Sequence, residues 1–429
     1  MRFLIAALLL AEPVQAETLY TDATLIDGTA RPHTDILVRN ERILAVGVRG
    51  SLKAEGARVV GLSGRFVIPG LIDSHVHLAT PPDRSQALKD LRRNLYGGVT
   101  AVRDMADDLR AVAELVREAE AGEIASPDIA FAALMAGPDF FADPRVLSVS
   151  KGWAPGTAPW MQAIDGRTDL RLAVARARGT GAAAIKIYAD LPARLIKAIT
   201  KEAHRQGMLV WTHSAIFPTR PADVIAAGPD AVSHACYLAY QADPSMPPAY
   251  EDRTPVHEEH LAASGDDPVM ARLFVEMKRR GILLDATGAI FERAEQARAK
   301  DPKLRPMRCT GGLTARLIGQ AYRAGITISA GTDFTVDGAW PALDDELVFL
   351  VERAGLPPVE ALRAATINGA RAMGREKDMG SIEAGKLADF VVLTRDPLAD
   401  IANVRSVEMT VKHGREYPRA DYQPGDDQK

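Results

Sequence analysis

The sequence lacks the features that would indicate a membrane or a nucleic-acid partner. It contains no apolar run of about 20 residues, the length that a membrane-spanning helix requires. It also has no run of lysine and arginine that could follow a phosphate backbone, and its 52 basic and 56 acidic side chains nearly cancel. We therefore expect no stable membrane insertion and no nucleic-acid binding, and a small molecule is the expected partner.

Cysteine is equally scarce, because the 429 residues include only Cys236 and Cys309. Two cysteines in a chain of this length need not form a structural bridge. Nothing in the sequence shows that their Cα atoms come within the few ångströms that a disulfide requires. The sequence therefore favours two unpaired thiols over a disulfide.

The first 16 residues have the pattern of a secretory signal peptide. A basic start is followed by an apolar run over residues 3–11, and the small residue Ala16 precedes the polar Glu17. Nine apolar residues are too few to cross a bilayer as a helix, so we expect cleavage after Ala16 and a secreted or periplasmic protein. An uncleaved anchor or a buried first strand is the alternative.

The remaining chain divides into a β-rich part at each end and a long middle part. Residues 17–69 and 376–429 contain short alternating apolar stretches that predict strands. Residues 70–375 alternate short strands with amphipathic helices, for example over 109–121, 191–206 and 220–227. Eight strands are expected to end at residues 75–77, 103–104, 135–137, 186–188, 213, 234, 285–287 and 331–333. Eight such units favour a (β/α)8 TIM barrel over an open doubly wound sheet.

Two connections, 138–166 and 239–266, are too long for simple turns. Both follow strands, so they are expected on the C-terminal face of the barrel, where barrel enzymes carry their active sites. The first connection contains Phe140, Phe141, Trp153 and Trp160. We interpret both connections as walls of a substrate site.

Histidines at the predicted strand ends indicate a metal site. His75 and His77 lie two residues apart on one strand, so their side chains point to the same face. His213 and His234 each close a later strand, and Asp333 closes the last one, which neighbours the first in a closed barrel. Imidazole and carboxylate groups that converge in this way suit a divalent metal ion.

Lys186 is a lone cation in the apolar strand 182–188. An unpaired ammonium is costly to bury, so the side chain needs either a carboxylate partner or chemical modification. Carbamylation by carbon dioxide would give an anionic oxygen ligand that can bridge two cations. From this residue alone, a carboxylate partner is the simpler expectation.

Together these residues resemble the amidohydrolase superfamily, and most closely its imidazolonepropionase-like and Xaa-Pro-dipeptidase-like branch. The resemblance covers nearly the whole mature chain. It rests on PGLIDSHVH at 69–77, GVTAVRD at 98–104, IKI at 185–187, TH at 212–213, SH at 233–234, GTD at 331–333 and GSIEAGKLAD at 380–389.

The resemblance implies a binuclear site on a TIM barrel. One metal would be bound by His75, His77 and Asp333, and a second by His213 and His234, with a carbamylated Lys186 and a hydroxide between them. Zinc is the expected metal on imidazole ligands. The hydroxide would attack the scissile carbonyl, with Asp333 as general base and then general acid. The resemblance also implies that both chain ends form one small β-sandwich, and that the protein is a possible homo-oligomer.

We therefore predict hydrolysis of an amide bond in a small molecule such as a dipeptide or an N-acyl amino acid. Tyr188 and Tyr237 are candidate substrate contacts, with ordinary aromatic packing as the alternative. Hydrolysis of a lactone, ester or phosphotriester on the same site, a mononuclear cyclic-amide hydrolase and a non-catalytic binding protein are the competing interpretations.

Some neighbouring residues have simpler interpretations. Relatives of the dipeptidase type often carry a glycine-rich turn with a histidine after strand three and a further glycine-rich turn after the lysine. This chain has neither turn. The resemblance therefore does not imply recognition of a free α-carboxylate. Arg103 is expected to be a structural partner of Asp104, with an anion contact as the alternative. His257 and His260 are expected to be solvated residues of a loop or helix, with no role as metal ligands.

Overall fold

The computed structural model describes residues 17–424, so the expected signal peptide lies outside the described residues. Eight parallel strands form a nearly closed barrel, and each strand pairs with the next along the chain. The gap between the last strand and the first is bridged by the Ser74 amide, which donates to the Ala330 carbonyl at 2.9 Å. The barrel strands are Leu71–Val76, Val99–Asp104, Asp128–Ala136, Ala184–Ile187, Leu209–His213, Ala231–Ser233, Leu283–Asp285 and Ile328–Ser329.

Helices cover the outside of the barrel and place their apolar faces against it. Asp83, Asp108 and Asp169 cap three of them by accepting hydrogen bonds from the first amides of each helix. The α-helices are Arg84–Tyr96, Leu109–Glu120, Pro144–Val149, Leu170–Arg178, Ala193–Arg205, Pro221–Ala227, Pro268–Arg280, Ala289–Lys300, Gly311–Arg323, Leu343–Val348, Pro358–Ala364 and Ile367–Ala372. None of the helices described is long and apolar enough to cross a membrane.

Strands from both ends of the chain join in one mixed sheet beside the barrel. Phe66–Pro69 from the first end pairs with Phe390–Leu393 from the second, and the sheet encloses its own core, in which the ring of Tyr20 packs edge-on against Phe390. Its strands are Glu17–Asp27, Thr29–Arg39, Arg42–Val48, Arg58–Gly61, Phe66–Pro69, Phe390–Leu393, Val407–Lys412 and Arg415–Pro418. The predicted barrel with a β domain built from both chain ends is confirmed, whereas the domain boundaries at 69/70 and 375/376 stay a prediction.

A largely buried carboxylate joins the terminal sheet to the barrel. Asp128, at the start of the third barrel strand, lies 2.8 Å from Lys412 Nζ and 3.1 Å from Arg375 Nη1. His413 Nε2 is 3.2 Å from the same carboxylate. Burial raises the pKa of Asp128, but His413 and Lys412 outweigh it and hold that pKa below its ordinary value. The carboxylate therefore stays ionised and holds the two parts of the molecule together.

Two predicted strand ends need correction. The sixth strand ends at Ser233, and His234 follows in a left-handed conformation with a φ of 69°. The eighth strand spans only Ile328–Ser329, and Asp333 lies beyond it with a φ of 56°. Both residues leave the strand because their side chains must turn across the barrel mouth, which a regular strand does not allow.

Candidate metal centre

The structure brings the six sequence-predicted residues together at the C-terminal mouth of the barrel. His75, His213 and Lys186 lie on or directly beside their strands, and His234 and Asp333 lie just past theirs. His77 follows the end of the first strand. The site therefore collects side chains from five strands that are far apart in the sequence.

Asp333 lies at the centre of three histidine rings. Its carboxylate oxygens are 3.6 Å from His75 Nε2, 3.4 Å from His77 Nε2 and 3.9 Å from His234 Nε2. These separations exceed a strong charged hydrogen bond but approach the edge of a tetrahedron around zinc, about 3.3 Å for ligands at about 2.0–2.1 Å. The backbone amide of Asp333 donates to the His75 carbonyl at 2.8 Å, which fixes the carboxylate over the first strand.

The other nitrogen of each of these rings is held by an acceptor. His75 Nδ1 lies 2.8 Å from Asp285, and His77 Nδ1 lies 2.9 Å from Asp107. His234 Nδ1 lies 2.8 Å from the Thr287 hydroxyl. Because the Nδ1 atoms are occupied, the Nε2 atoms are free to bind an ion, which is the usual arrangement of histidine ligands.

His213 completes the histidine set. Its ring centre is 4.8 Å from that of His234, and its Nδ1 atom is buried without a hydrogen-bond partner in the described chain. A buried ring nitrogen without a partner is energetically unfavourable unless an ion or a water molecule binds to it. His213 is therefore suited to a ligand role.

Asp285 is a buried carboxylate that organises the floor of the site. It accepts hydrogen bonds from His75, from Arg103 Nη2 at 2.9 Å and from the Ser233 hydroxyl at 2.8 Å. Arg103 also donates to the Ser74 carbonyl at 2.6 Å and stacks on Trp211. The structural role expected for Arg103 stands, but its partner is Asp285; the predicted pairing with Asp104 was wrong.

Lys186 is fully buried, and no carboxylate forms an ion pair with it within residues 17–424. Its only hydrogen bond there runs from Nζ to the Ser233 hydroxyl at 3.4 Å. Burial lowers the pKa of this amine to about 7, with Arg103 acting in the same direction. The simpler expectation of a carboxylate partner was therefore wrong, and the side chain can be an uncharged amine near neutral pH.

Burial also keeps most of the rings uncharged. It lowers the pKa of His75, lowers that of His213 well below its usual range and lowers that of His234 to about 3. His77 differs, because Asp107 and Asp333 outweigh the effect of burial and raise its pKa. Three neutral imidazoles, a further imidazole, a carboxylate and an uncharged amine form a donor set that fits divalent metal ions.

Gly331 allows the first and last strands to approach one another at this site. A Cβ atom at this position would lie 2.3 Å from Asp285 Oδ1 and 2.7 Å from His75 Cβ. Any side chain there would displace His75 and its partner Asp285. Glycine is therefore required by the close approach of the chain to the site.

A cavity of about 230 Å³ opens above the ligands. Both long connections line it, the first through Phe140 and Arg145 and the second through Tyr250. The candidate contacts Tyr188 and Tyr237 also line it, and the Tyr188 ring centre is 4.1 Å from that of His213. Of the other aromatic residues predicted for the first wall, Phe141 and Trp160 are buried and Trp153 is exposed.

Several residues of the site were not predicted from the sequence. Asp285 closes a barrel strand, a position that could have identified it, and Asp107 follows the strand-end motif that includes Asp104. Arg145 lies on the short helix Pro144–Val149 within the first connection, and Tyr250 lies in an irregular part of the second, so neither residue carries a periodic signal long enough to read. Their positions depend on tertiary contacts such as the 3.1 Å hydroxyl contact between Tyr188 and Tyr250.

The two cysteines form a disulfide, so the expectation of unpaired thiols was wrong. Cys236 and Cys309 are joined with a Cα–Cα distance of 6.1 Å across a sequence separation of 73 residues. Cys236 lies two residues after His234, on the 3-10 helix Ala235–Gln241. The bridge therefore anchors the beginning of the second cavity wall to the segment before helix Gly311–Arg323.

Comparisons with known proteins identify the family. The sequence profile of the Amidohydrolase family matches residues 66–417. Ochratoxinase of Aspergillus niger is 26% identical over 426 residues, covering 88% of this chain and 81% of that protein. Imidazolonepropionase of Symbiobacterium thermophilum is 28% identical over 409 residues, covering 87% and 85%.

Solved structures show the same fold. The structure of a Xaa-Pro dipeptidase with bound methionine superposes with a TM-score of 0.74 at 22% identity, covering 94% of this chain and 100% of that one. The resemblance inferred from the motifs is confirmed, and the family is one of metal-dependent enzymes. The chain therefore belongs to the amidohydrolase family and is a hydrolase that acts on carbon–nitrogen bonds.

Proposed function

We propose that this protein is a binuclear hydrolase of small amides that holds two divalent ions, most simply zinc. The ions would be held by His75, His77, His213, His234 and Asp333, with a carbamylated Lys186 between them. The observation that carries the proposal is a fully buried lysine that has no carboxylate partner among residues 17–424 and lies beside the converging histidines. An unmodified amine has one lone pair for one ion, so Lys186 needs an anionic modification to bridge two ions.

The modification requires only carbon dioxide. The uncharged Lys186 amine attacks the carbon atom, a nitrogen–carbon bond forms, and one amine proton leaves to solvent. The product is an anionic carbamate whose oxygen atoms would be available as metal ligands. The pKa of about 7 supports this step, because the amine must be unprotonated to react.

Asp333 is the group that moves the proton in the hydrolysis. Two bound ions would acidify a water molecule and polarise the scissile carbonyl. The Asp333 carboxylate is partly exposed to the cavity and accepts the proton of the attacking water. It then donates that proton to the leaving amine as the carbon–nitrogen bond breaks. Tyr237 lines the cavity beside His213 and His234, where its hydroxyl can donate to the tetrahedral oxygen.

The cavity walls favour an N-acyl amino acid or a dipeptide with a bulky apolar group. Phe140, Tyr188 and Tyr250 form an aromatic cluster, with ring centres 4.7 Å apart for Phe140 and Tyr188. Arg145 lies in the same wall, and its Nη2 atom is 3.5 Å from the Tyr250 hydroxyl. An arginine beside aromatic rings can bind a substrate carboxylate through paired hydrogen bonds.

Export and assembly remain proposals as well. We propose that the mature protein works in the periplasm or outside the cell, and the disulfide supports this because such bonds persist in oxidising compartments. A homo-oligomer is also proposed from the family resemblance. Sequencing the N-terminus of the mature protein tests export, because cleavage is expected after Ala16. The native mass tests assembly, because a homo-oligomer exceeds the mass of the cleaved monomer.

Turnover of a defined substrate panel tests the reaction. Protein grown with zinc and bicarbonate is assayed with N-acyl amino acids, dipeptides, a cyclic amide, a lactone and a phosphotriester. Asp333→Asn is expected to reduce amide turnover by about 10²–10⁴-fold, because proton transfer contributes that much, and the exposed Asp337→Asn is the matched control. Lactone or phosphotriester turnover without amide turnover would contradict the proposal.

A further inference from the structure

A second group of metal-ligating side chains lies outside the catalytic cavity. Asp243, His257 and His260 each offer one ligand atom, and these atoms lie within 4.8 Å of one another. None of the three lines the cavity that contains Asp333. All three belong to the long connection between the sixth and seventh barrel strands.

The local backbone places both histidines on one side. Residues Glu258–His260 form a 3-10 helix that His257 precedes. Because a 3-10 helix has three residues per turn, side chains three apart are eclipsed. The ring centres of His257 and His260 are accordingly 5.5 Å apart. No ligand role was expected for these histidines because they lack the four-residue spacing of zinc ligands on an α-helix, but a 3-10 helix brings residues three apart together.

The carboxylate of Asp243 faces both rings. Its oxygens lie 3.2 Å from His257 Nδ1 and 3.5 Å from His260 Nδ1. Charged hydrogen bonds of this type are usually about 2.7–2.9 Å long. The 3.2 Å contact is a long hydrogen bond and the 3.5 Å contact exceeds one, and both are near the edge of about 3.3 Å between ligands of one tetrahedral zinc ion.

The carboxylate of this group is buried and its two histidines are partly exposed, which suits a metal site. The Asp243 side chain is 2% exposed, and its backbone carbonyl accepts a hydrogen bond from Arg220 at 2.9 Å, so its position is fixed. The histidine side chains are 46% and 37% exposed, which leaves a path for an ion and room for a water ligand. Glu258 does not compete, because it contacts Thr310 and Arg316 instead.

We propose that Asp243, His257 and His260 bind one zinc-like divalent ion, with water completing the coordination. The ion would join the two ends of segment 244–256, which carries Tyr250. Tyr250 contacts Tyr188 and stands beside the catalytic His213, with ring centres 6.2 Å apart. The bound ion therefore fixes a wall of the catalytic cavity without contacting the substrate.

Zinc stoichiometry tests the site directly. Zinc-loaded protein is dialysed to equilibrium and analysed for metal, and the same is done for the double variant His257→Ala/His260→Ala. His204→Ala is the matched control, because His204 is also exposed and lies 2.9 Å from a carboxylate, that of Asp230. Wild type and control are expected to bind one more zinc ion per chain than the double variant. Equal zinc content in all three proteins would overturn the proposal.

Trypsin cleavage after Arg253 gives a second readout. Cleavage through local opening follows the population of the open segment, and zinc at 100 times its dissociation constant lowers that population about 100-fold. Zinc is expected to protect wild type in this way and not the double variant. Equal protection of both proteins would place the ion elsewhere and overturn the proposal.

Failure of this proposal can be separated from failure of the catalytic one. The same pair of histidine substitutions is made in a Lys186→Ala background, and zinc content is compared again. The difference of one ion is expected to persist there, because the loop ligands do not involve Lys186. If the histidine substitutions remove no ion with or without Lys186, the loop site is rejected. If the Lys186→Ala protein keeps all the ions of wild type, the carbamate-bridged centre is rejected.

Discussion

Single residues outside the ligand set decide how firmly the histidines are held. Asp285 accepts from His75, Arg103 and Ser233 and is fully buried. We predict that Asp285→Asn lowers zinc affinity by about 10–100-fold, the usual loss when the partner of a histidine ligand is removed. Competition with a chelator measures the affinity.

Asp267→Asn is the control for Asp285→Asn. Asp267 is also buried and accepts from Val269 and Met270 at the start of a helix, away from the metal centre. This variant is expected to bind zinc as wild type does. Unchanged zinc affinity of the Asp285→Asn protein would show that the carboxylate does not orient His75.

Arg145 provides a second prediction at the residue scale. Arg145→Gln is expected to lower kcat/KM for substrates with a free carboxylate by about 10–100-fold, because a hydrogen bond to a charged group is lost. Neutral ester or amide analogues of the same substrates are expected to be unaffected, which separates recognition from general damage. Steady-state kinetics on both substrate types measure the difference.

Arg110→Gln is the matched control for Arg145→Gln. Arg110 pairs with Asp108 at 2.7 Å, as Arg145 pairs with Asp143 at 2.6 Å, and both arginine side chains are 50% exposed. Arg110 does not line the cavity. An equal loss in both variants, or an equal loss on neutral substrates, would reject Arg145 as a carboxylate contact.

The sequence alone was informative about residues that share a strand position. His75, His77, His213 and Lys186 could be identified because strands alternate side chains and barrel strands end at one face. Asp285 pairs with a histidine 210 positions away, and such a contact leaves no local pattern. The positions of residues in contact across the barrel depend on the closed fold.

At the scale of elements, the second cavity wall depends on its anchors. The disulfide between Cys236 and Cys309 joins the 3-10 helix after His234 to a segment 73 residues away. We predict that the double variant Cys236→Ser/Cys309→Ser lowers the free energy of unfolding by about 2–4 kcal/mol, because a loop of this length gains entropy in the unfolded chain. Urea denaturation at fixed zinc concentration measures the change.

Reductant is the internal control for the disulfide prediction. A phosphine reductant, which has no thiol to bind zinc, is expected to shift the urea midpoint of wild type toward that of the serine variant and to leave the variant unchanged. Identical midpoints for all four samples would mean that the bridge does not stabilise the wall.

Regular elements were easier to predict than irregular ones. The helix predicted over 109–121 is observed over Leu109–Glu120, because apolar spacing and the Asp108 cap define it. The eighth strand was predicted to end at residues 331–333, but it ends at Ser329, since the following residues turn across the barrel mouth. The pairing of Cys236 with Cys309 depends on tertiary packing that the spacing of the two residues does not reveal.

For the whole molecule, the junction between the terminal sheet and the barrel is the point most sensitive to charge. The largely buried Asp128 contacts Lys412, His413 and Arg375. We predict that Asp128→Asn lowers the free energy of unfolding by about 3 kcal/mol, the lower end for a broken buried ion pair, because it leaves the buried ammonium of Lys412 without its carboxylate partner. Urea denaturation compares the variant with wild type.

The same junction predicts a pH dependence. Burial acts to lower the pKa of His413, but the contact with Asp128 outweighs it and raises that pKa. The stabilisation that the charged His413 gains from Asp128 is therefore fully present below the ordinary histidine pKa. It is lost as pH rises through the raised value. Burial, together with the charge of Asp128, raises the pKa of Asp389 to about 6. The ionisation of Asp389 in the folded protein is therefore unfavourable, and it also lowers the free energy of unfolding as pH rises. The stability of wild type relative to Asp128→Asn should therefore fall between pH 5 and 8. A constant difference across this range would contradict the assignment.

The account as a whole depends on the carbamate-bridged metal pair, and metal content tests it most directly. The measurement is elemental analysis of zinc-loaded protein carrying His257→Ala/His260→Ala, so that only the catalytic ions are counted, with and without Lys186→Ala. The account predicts two ions per chain with Lys186 and fewer than two without it, while circular dichroism shows that the fold is retained. One ion per chain in the presence of Lys186, or the same two ions in its absence, would contradict it.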